Sequence, residues 1–312
     1  MNEEFLWVQR YRPKTIEESI LPSDLKTTFQ QFVNQKNIPN LLLTGTAGVG
    51  KTTVAKAMCN QLDADYIVIN GSMNGNIDTL RNEIMQFASS VSFSGGRKYV
   101  ILDEADYLNP QSTQPALRNF MEEFSRNCGF ILTCNFKNRI IEPLHSRCTV
   151  IDFKIKSGDK AKLAAQFFKR LLDILNKESV EFDQKVVAEV INLHFPDWRR
   201  VLNECQRYSA VGRIDSGILT NFSEESFKQL IGHMKVKDYP KVRKWVGENS
   251  DMDATQFFRA FYDASWEQAA SNSIPGIVVT LGEYSYRHSF CADPEINIMA
   301  FLTAIMFECS WK

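Results

Sequence analysis

Residues 40–53 read Asn-Leu-Leu-Leu-Thr-Gly-Thr-Ala-Gly-Val-Gly-Lys-Thr-Thr. Gly45 and the Gly50-Lys51-Thr52 triplet fit the spacing G-x-x-x-x-G-K-[ST] in full. The chemistry of that spacing is phosphate binding. Glycines let successive backbone N–H groups turn inward around an anion, and the helix that follows points its positive end at the same place. A lysine at position 51 reaches the outer phosphates, and the Thr52 hydroxyl is a ligand for Mg²⁺. Gly45, Gly48, Val49, Gly50, Lys51, Thr52 and Thr53 are the candidate phosphate-binding residues.

A second group of candidates lies at the ends of later apolar runs. Val100-Ile101-Leu102-Asp103-Glu104-Ala105-Asp106 ends in acids. A carboxylate at a strand tip beside a phosphate loop holds Mg²⁺, usually through water, and the next carboxylate takes a proton from attacking water. Asp103 is assigned to the metal and Glu104 to the general base. Asn135 directly follows another apolar run. Seen alone, it is a turn residue; at a strand tip its amide can hold water or a γ-phosphate oxygen. Arg147, in His145-Ser146-Arg147-Cys148, is a residue type that stabilises transferring phosphoryl charge. Seen alone, it reads rather as a surface arginine capping a helix end. Arg199 and Arg200 open a helix after Phe195-Pro196-Asp197-Trp198, where one could reach a γ-phosphate or both could be solvated.

These residues need a scaffold of strand tips. Short apolar runs at 41–43, 66–69, 98–103, 129–134 and 149–153 read as strands. Helical spacing fills the intervals at 51–61, from the polar turn 71–76 to about Ser90, and at 110–124. The alternation predicts an α/β domain with a five-stranded parallel sheet covered on both faces. Residues 1–22, restricted by Pro13 and Pro22, read as an irregular arm, and Ser23 as the N-cap of a helix to about Gln35. After residue 154 no strand is expected. Helices are expected at 161–175, 186–193 and 199–208, then at 225–234, 239–247, 254–270, 274–285 and 295–310. The expected domains are 1–153, 154–222 and 223–312. There is no internal repeat and no low-complexity segment.

At 312 residues, more than one domain is expected. A net charge of −1 supplies no bulk basic field for nucleic acid, so any DNA contact must be local. Seven scattered cysteines without a CxxC pair argue against zinc and for reduced thiols in a cytoplasmic setting. No run approaches the roughly 18 apolar residues of a membrane span, and Met1-Asn2-Glu3-Glu4 lacks the basic region of a secretory signal.

The motifs occur together in a characteristic order: Gln9-Arg10-Tyr11-Arg12-Pro13, the loop Gly45–Thr53, LDEAD at 102–106, the helix Ala116–Glu123, Thr133-Cys134-Asn135 and Ser146-Arg147-Cys148. In this the chain resembles AAA+ ATPase subunits of sliding-clamp loaders over nearly its whole length, above all the large subunits of T4-type bacteriophage loaders. The resemblance implies an AAA+ P-loop NTPase domain, a helical lid domain and an all-α collar that builds a ring. It implies that Val8, Gln9, Arg10, Tyr11, Arg12 and Ile20 close over the base and ribose of ATP. It further implies that Arg199 senses the γ-phosphate in cis while Arg147 acts in trans on ATP held by the next subunit. The implied cofactors are ATP and Mg²⁺. The implied partners are a sliding clamp, primer–template DNA, other copies of the chain and a distinct small subunit in a five-membered ring, with no membrane. The implied location is the cytoplasm, that of the host if the chain is phage-encoded.

Two departures bear on this. Relatives from cells often carry a second arginine where Asn119 stands, and the zinc cysteines of bacterial relatives are absent. Candidate DNA contacts are Asn76, Arg81, Ser112 and Thr113, which equally suit caps and solvated faces. Candidate clamp contacts are Phe87, Val91 and Phe93, with core packing an equal reading for Phe87. Two other functions fit parts of the pattern. A structural ring subunit would have a broken phosphate loop, and this one is intact. A branch-migration motor would end in a winged helix, where the sequence here reads as all helix.

Overall fold

The computed structural model describes residues 5–73, 77–92, 96–210, 212–215, 218, 224–249, 254–288 and 290–312. The chain forms two compact units, Met1–Ile218 and Leu219–Lys312.

The first unit is built on a parallel sheet. Its strands are β1 (Leu41–Thr44), β2 (Tyr66–Asn70), β3 (Lys98–Asp103), β4 (Cys128–Cys134) and β5 (Thr149–Asp152), in the order β2-β3-β4-β1-β5. All four pairings are parallel, with Leu42 opposite Leu132 on one side and Val150 on the other. Side chains alternate faces along a strand, and the two cores show it. Leu42, Val100, Leu102, Phe130 and Leu132 pack under α4 (Ile77–Ser89) and α5 (Thr113–Glu123). Leu41, Leu43, Ile101 and Ile131 pack under α2 (Ser23–Asn34) and α3 (Lys51–Gln61). Burial on both faces explains why β1, β3 and β4 read as unbroken apolar runs.

The arm before α2 is more ordered than its prolines imply. Trp7–Arg10 forms a short helix, α1, whose Trp7 is buried. Pro13 forbids its extension. Ser23 is the first helical residue of α2 and not its cap, a position held by Pro22.

After the short helix α6 (Glu142–His145) and β5, the unit continues with α7 (Lys160–Lys177), α8 (Gln184–His194) and α9 (Trp198–Ser209). Asp183 and Asp197 cap the last two, each accepting from a backbone N–H two or three residues on. The expectation of no strand beyond 154 is corrected: β6 (Glu181–Phe182) and β7 (Arg213–Ile214) pair in parallel. Two-residue strands are too short to leave a period in the sequence.

The second unit contains α10 (Glu224–Lys235), α11 (Tyr239–Glu248), α12 (Ala254–Gln268), α13 (Ile274–His288) and α14 (Pro294–Glu308). Asp238 and Asp293 cap α11 and α14, each followed by proline in the first turn. Phe257, Phe261 and Phe301 meet largely edge to face at its centre. Among the described residues, no helix is long and apolar enough to cross a membrane.

Candidate functional site

The sheet order places the tip of β1 next to β4, and β4 next to β3. Ligands of open parallel sheets bind at such strand tips. Here the tips open into a cleft of about 560 Å³. Gly48, Val49, Gly50, Lys51, Thr52, Thr53, Asp103, Glu104 and Asn135 all line it. Gly48 has φ +73°, and a Cβ there would lie 1.7 Å from Asp197 Oδ1. Gly50, at φ +97°, turns the chain into α3.

Lys51 is buried, 7% exposed. It donates to the carbonyls of Gly45 and Thr46 at 2.7 Å and to Asn135 Oδ1 at 2.9 Å. Burial lowers its pKa to about 8, against the opposing charges of Asp103 and Asp106. A buried cation satisfied only by neutral oxygens is suited to anionic phosphates. Beside it, Asp103 Oδ1 accepts from the Thr52 hydroxyl at 2.5 Å and from Thr133 at 2.6 Å. Glu104 follows with φ +55° and ψ +44°, a left-handed conformation that non-glycine residues seldom adopt. Its N–H is held by Thr133 Oγ1 at 3.2 Å. Thr133 thus orients both acids; its signal in the sequence is only its place at a strand end.

Arg199, at the start of α9, is exposed and lines the same cleft, with Trp198, Leu202 and Asn203. Of the arm residues, Val8, Gln9, Tyr11, Arg12 and Ile20 line it. Arg10 does not: its guanidinium turns away to Glu178 at 2.8 Å. Glu178 Oε1 also accepts from the Tyr11 hydroxyl at 2.5 Å. That bond, ahead of the pull of Arg10, holds the Glu178 carboxyl below its usual range. Arg170 of α7 donates to the carbonyls of Tyr11 and Glu18, and Trp7 N donates to Gln206 of α9. The arm is therefore tied to α7 and α9. Glu178, Arg170 and Gln206 had no local motif to mark them.

Arg147 is not part of this cleft. It lies between α6 and β5, where it pairs through Nε and Nη2 with Glu122 of α5 and donates to Pro143 O. The candidates for macromolecular contact separate. Arg81 and Ser112 are exposed. Thr113 is corrected: it is fully buried, its hydroxyl without a partner among the described residues, so its side chain faces the core and not a duplex. Phe87 is half-buried against the core beneath the Lys98 ammonium, whereas Val91 is 89% exposed. Asn76 and Phe93 lie outside the described residues.

The cleft fits the group its residues imply. Thr52 and Asp103 offer two hard oxygens at hydrogen-bond distance, the donor set with which Mg²⁺ binds through one carboxylate plus substrate phosphates.

Comparison with known proteins agrees with this geometry. The profile described as "ATPase family associated with various cellular activities (AAA)" matches residues 41–156. That described as "Sliding-clamp-loader large subunit, AAA+ ATPase lid domain" matches 159–220. The sliding-clamp-loader large subunit of Escherichia phage RB69 is 35% identical over 100% of this chain and 98% of its own. That of Enterobacteria phage T4 is 34% identical over 99% and 98%. The replication factor C small subunit of Archaeoglobus fulgidus is 37% identical over 95% and 96%. Among solved structures, a Thermotoga maritima RuvB variant superimposes with TM-score 0.55 at 18% identity, over 73% of this chain and 81% of that one, a likeness of fold. With matches to the phage proteins running the full length, and with a complete phosphate cleft, the chain belongs to the sliding-clamp-loader large-subunit family of AAA+ ATPases.

Proposed function

We propose that this chain is the ATP-hydrolysing motor of a clamp loader in DNA replication. In this reading it divides into an ATPase domain (1–153), a lid (154–222) and a collar (223–312). The observation that carries the proposal is the sorting of the polar and charged groups. Lys51, Thr52, Asp103, Glu104, Asn135 and Arg199 meet at one cleft, while Arg147 is held elsewhere by Glu122.

Each side chain then has a task. Lys51 neutralises the outer phosphates of ATP, exchanging its carbonyl partners for phosphate oxygens. Thr52 and Asp103 hold Mg²⁺, which supplies charge neutralisation on the phosphates. Asn135 orients the attacking water and Glu104 accepts its proton. Arg199 reports the γ-phosphate to the lid, and through α7 and α9 to the arm. Arg147 completes the ATP site of a neighbouring copy, as an arginine supplied in trans stabilises transition-state charge. The assembled ring, five-membered with a distinct small subunit, grips and opens a sliding clamp and encloses primer–template DNA; hydrolysis releases the loader. Arg81 and Ser112 are the DNA candidates among the described residues, and Val91 the clamp candidate.

The test is steady-state ATP hydrolysis by the assembled complex with clamp and primed DNA. Glu104→Gln should lower turnover by roughly 100-fold or more while leaving ATP binding intact. Wild-type stimulated turnover in that variant would remove Glu104 as the base. Failure of the isolated chain to bind ATP would instead favour a structural ring subunit.

A further inference from the structure

The LDEAD segment ends in an acid with no role so far. Asp106 sits in the single helical turn after β3, is 5% exposed, and does not line the cleft. Its Oδ2 accepts two backbone N–H groups, of Asn135 and Phe136, each at 3.1 Å. Its Oδ1 is buried with no hydrogen-bond partner among the described residues. A buried carboxylate is unfavourable, and leaving one of its oxygens unmatched makes it more so. Such a group persists where it orders something else.

What it orders follows from the sheet. The register between β3 and β4 runs from Lys98 opposite Cys128 to Leu102 opposite Leu132 and stops there. Beyond that point three side-chain links knit the two tips. Thr133 Oγ1 donates to Asp103, the Glu104 N–H donates to Thr133, and Asp106 takes the N–H groups of 135 and 136. The last link fixes the peptide that carries the Asn135 amide, whose Oδ1 meets Lys51 Nζ at 2.9 Å. Two N–H groups on one oxygen define the direction of that peptide where one would let it swing.

We infer that Asp106 is a positioning residue for ATP hydrolysis: it holds the tip of β4 by its backbone so that the Asn135 amide faces the reacting phosphate, without itself touching nucleotide. The inference rests on the role given above to Asn135. Small displacements of a group that orients a nucleophile cost turnover more than binding. The expected signature is therefore in kcat and not in KM.

The experiment is a double-mutant cycle of Asp106→Asn with Asn135→Ala, read as steady-state ATP hydrolysis by the assembled complex with clamp and primed DNA. Asp106→Asn keeps the shape but replaces a charged acceptor by a weaker one and places an amide NH₂ at a buried position. Alone it should lower kcat about tenfold with KM for ATP within about twofold. In the Asn135→Ala background it should cost less than about twofold more, because the group it positions is gone. Asp106→Ser, whose shorter side chain holds at most one of the two N–H groups, is the second variant and should show the same non-additive pattern with a loss at least as large. Equal losses in both backgrounds, or a loss confined to KM, would overturn the inference and leave the Asn135 reading intact. Wild-type turnover in Asn135→Ala would remove that reading and this one with it.

Discussion

At the scale of the residue, the phosphate site is built at the expense of stability. Lys51 is a buried residue whose ammonium rests among neutral oxygens, with a pKa lowered to about 8 by burial. Between that value and its ordinary 10.5, the unfolded chain binds the proton that the folded chain has released. Stability contributed by this group therefore rises with pH across that window and is missing below it. Compared with Lys51→Met, the nucleotide-free wild type should gain roughly 2 kcal/mol between pH 7 and pH 9.5. Urea unfolding of both chains at both pH values measures this. A stability difference that does not change with pH would mean that Lys51 is not desolvated in the empty cleft. The same desolvation favours ATP, whose phosphates restore the charge balance that burial removes.

At the scale of the element, α5 shows how much was written locally and how much was not. Its apolar spacing, Leu117, Phe120 and Met121, predicts the face that packs on the sheet, and that face is buried. Thr113 stands four residues before Leu117 and Gln114 three before, so both fall on the same stripe. Thr113 is a DNA candidate by its place near the start of the helix, but the helical period places it inside. Gln114 is buried, with Nε2 donating to the carbonyls of Leu108 and Arg139 and Oε1 accepting from Ile141 N. Gln114→Leu fills the space but orphans three backbone groups, and should destabilise the chain by about 3 kcal/mol in urea unfolding. A loss under about 1 kcal/mol would show that water replaces the amide there. The phosphate loop, the LDEAD acids and Asn135 were legible because each is a run ending at a strand tip, a signal contained within a few residues. The ties of Trp7 to Gln206, of Tyr11 to Glu178 and of Arg170 to Tyr11 were not. They join positions more than 150 apart in sequence, and their partners sit on amphipathic helices or, for Glu178, at the end of one, where any polar residue would satisfy the pattern.

At the scale of the whole molecule, two features bear on the proposed assembly. In α14 the apolar content extends all round, and Ile296 and Phe307 are 66% and 78% exposed on one stripe with Ala300 and Thr303. A helix apolar on every side is normally buried on every side, which suits a collar that packs against other copies. Arg147 is the second such feature. Its guanidinium rests on Glu122, on the surface, and an exposed pair of this kind is easily exchanged for a phosphate partner. If it serves the next subunit's ATP, then two defective chains can repair one another. A Lys51→Ala copy cannot hold ATP productively but still presents Arg147. An Arg147→Ala copy holds ATP but offers its neighbour nothing. Complexes assembled from either variant alone should hydrolyse ATP at about a hundredth of the wild-type rate or less. Complexes from an equal mixture should recover a substantial part of it, because some interfaces then pair an intact Lys51 site with an intact Arg147. The measurement is DNA- and clamp-stimulated turnover of the mixed and unmixed assemblies at equal total chain. A mixture no faster than its parents would place Arg147 in cis, or outside catalysis, and would make the Lys51 cleft complete in itself.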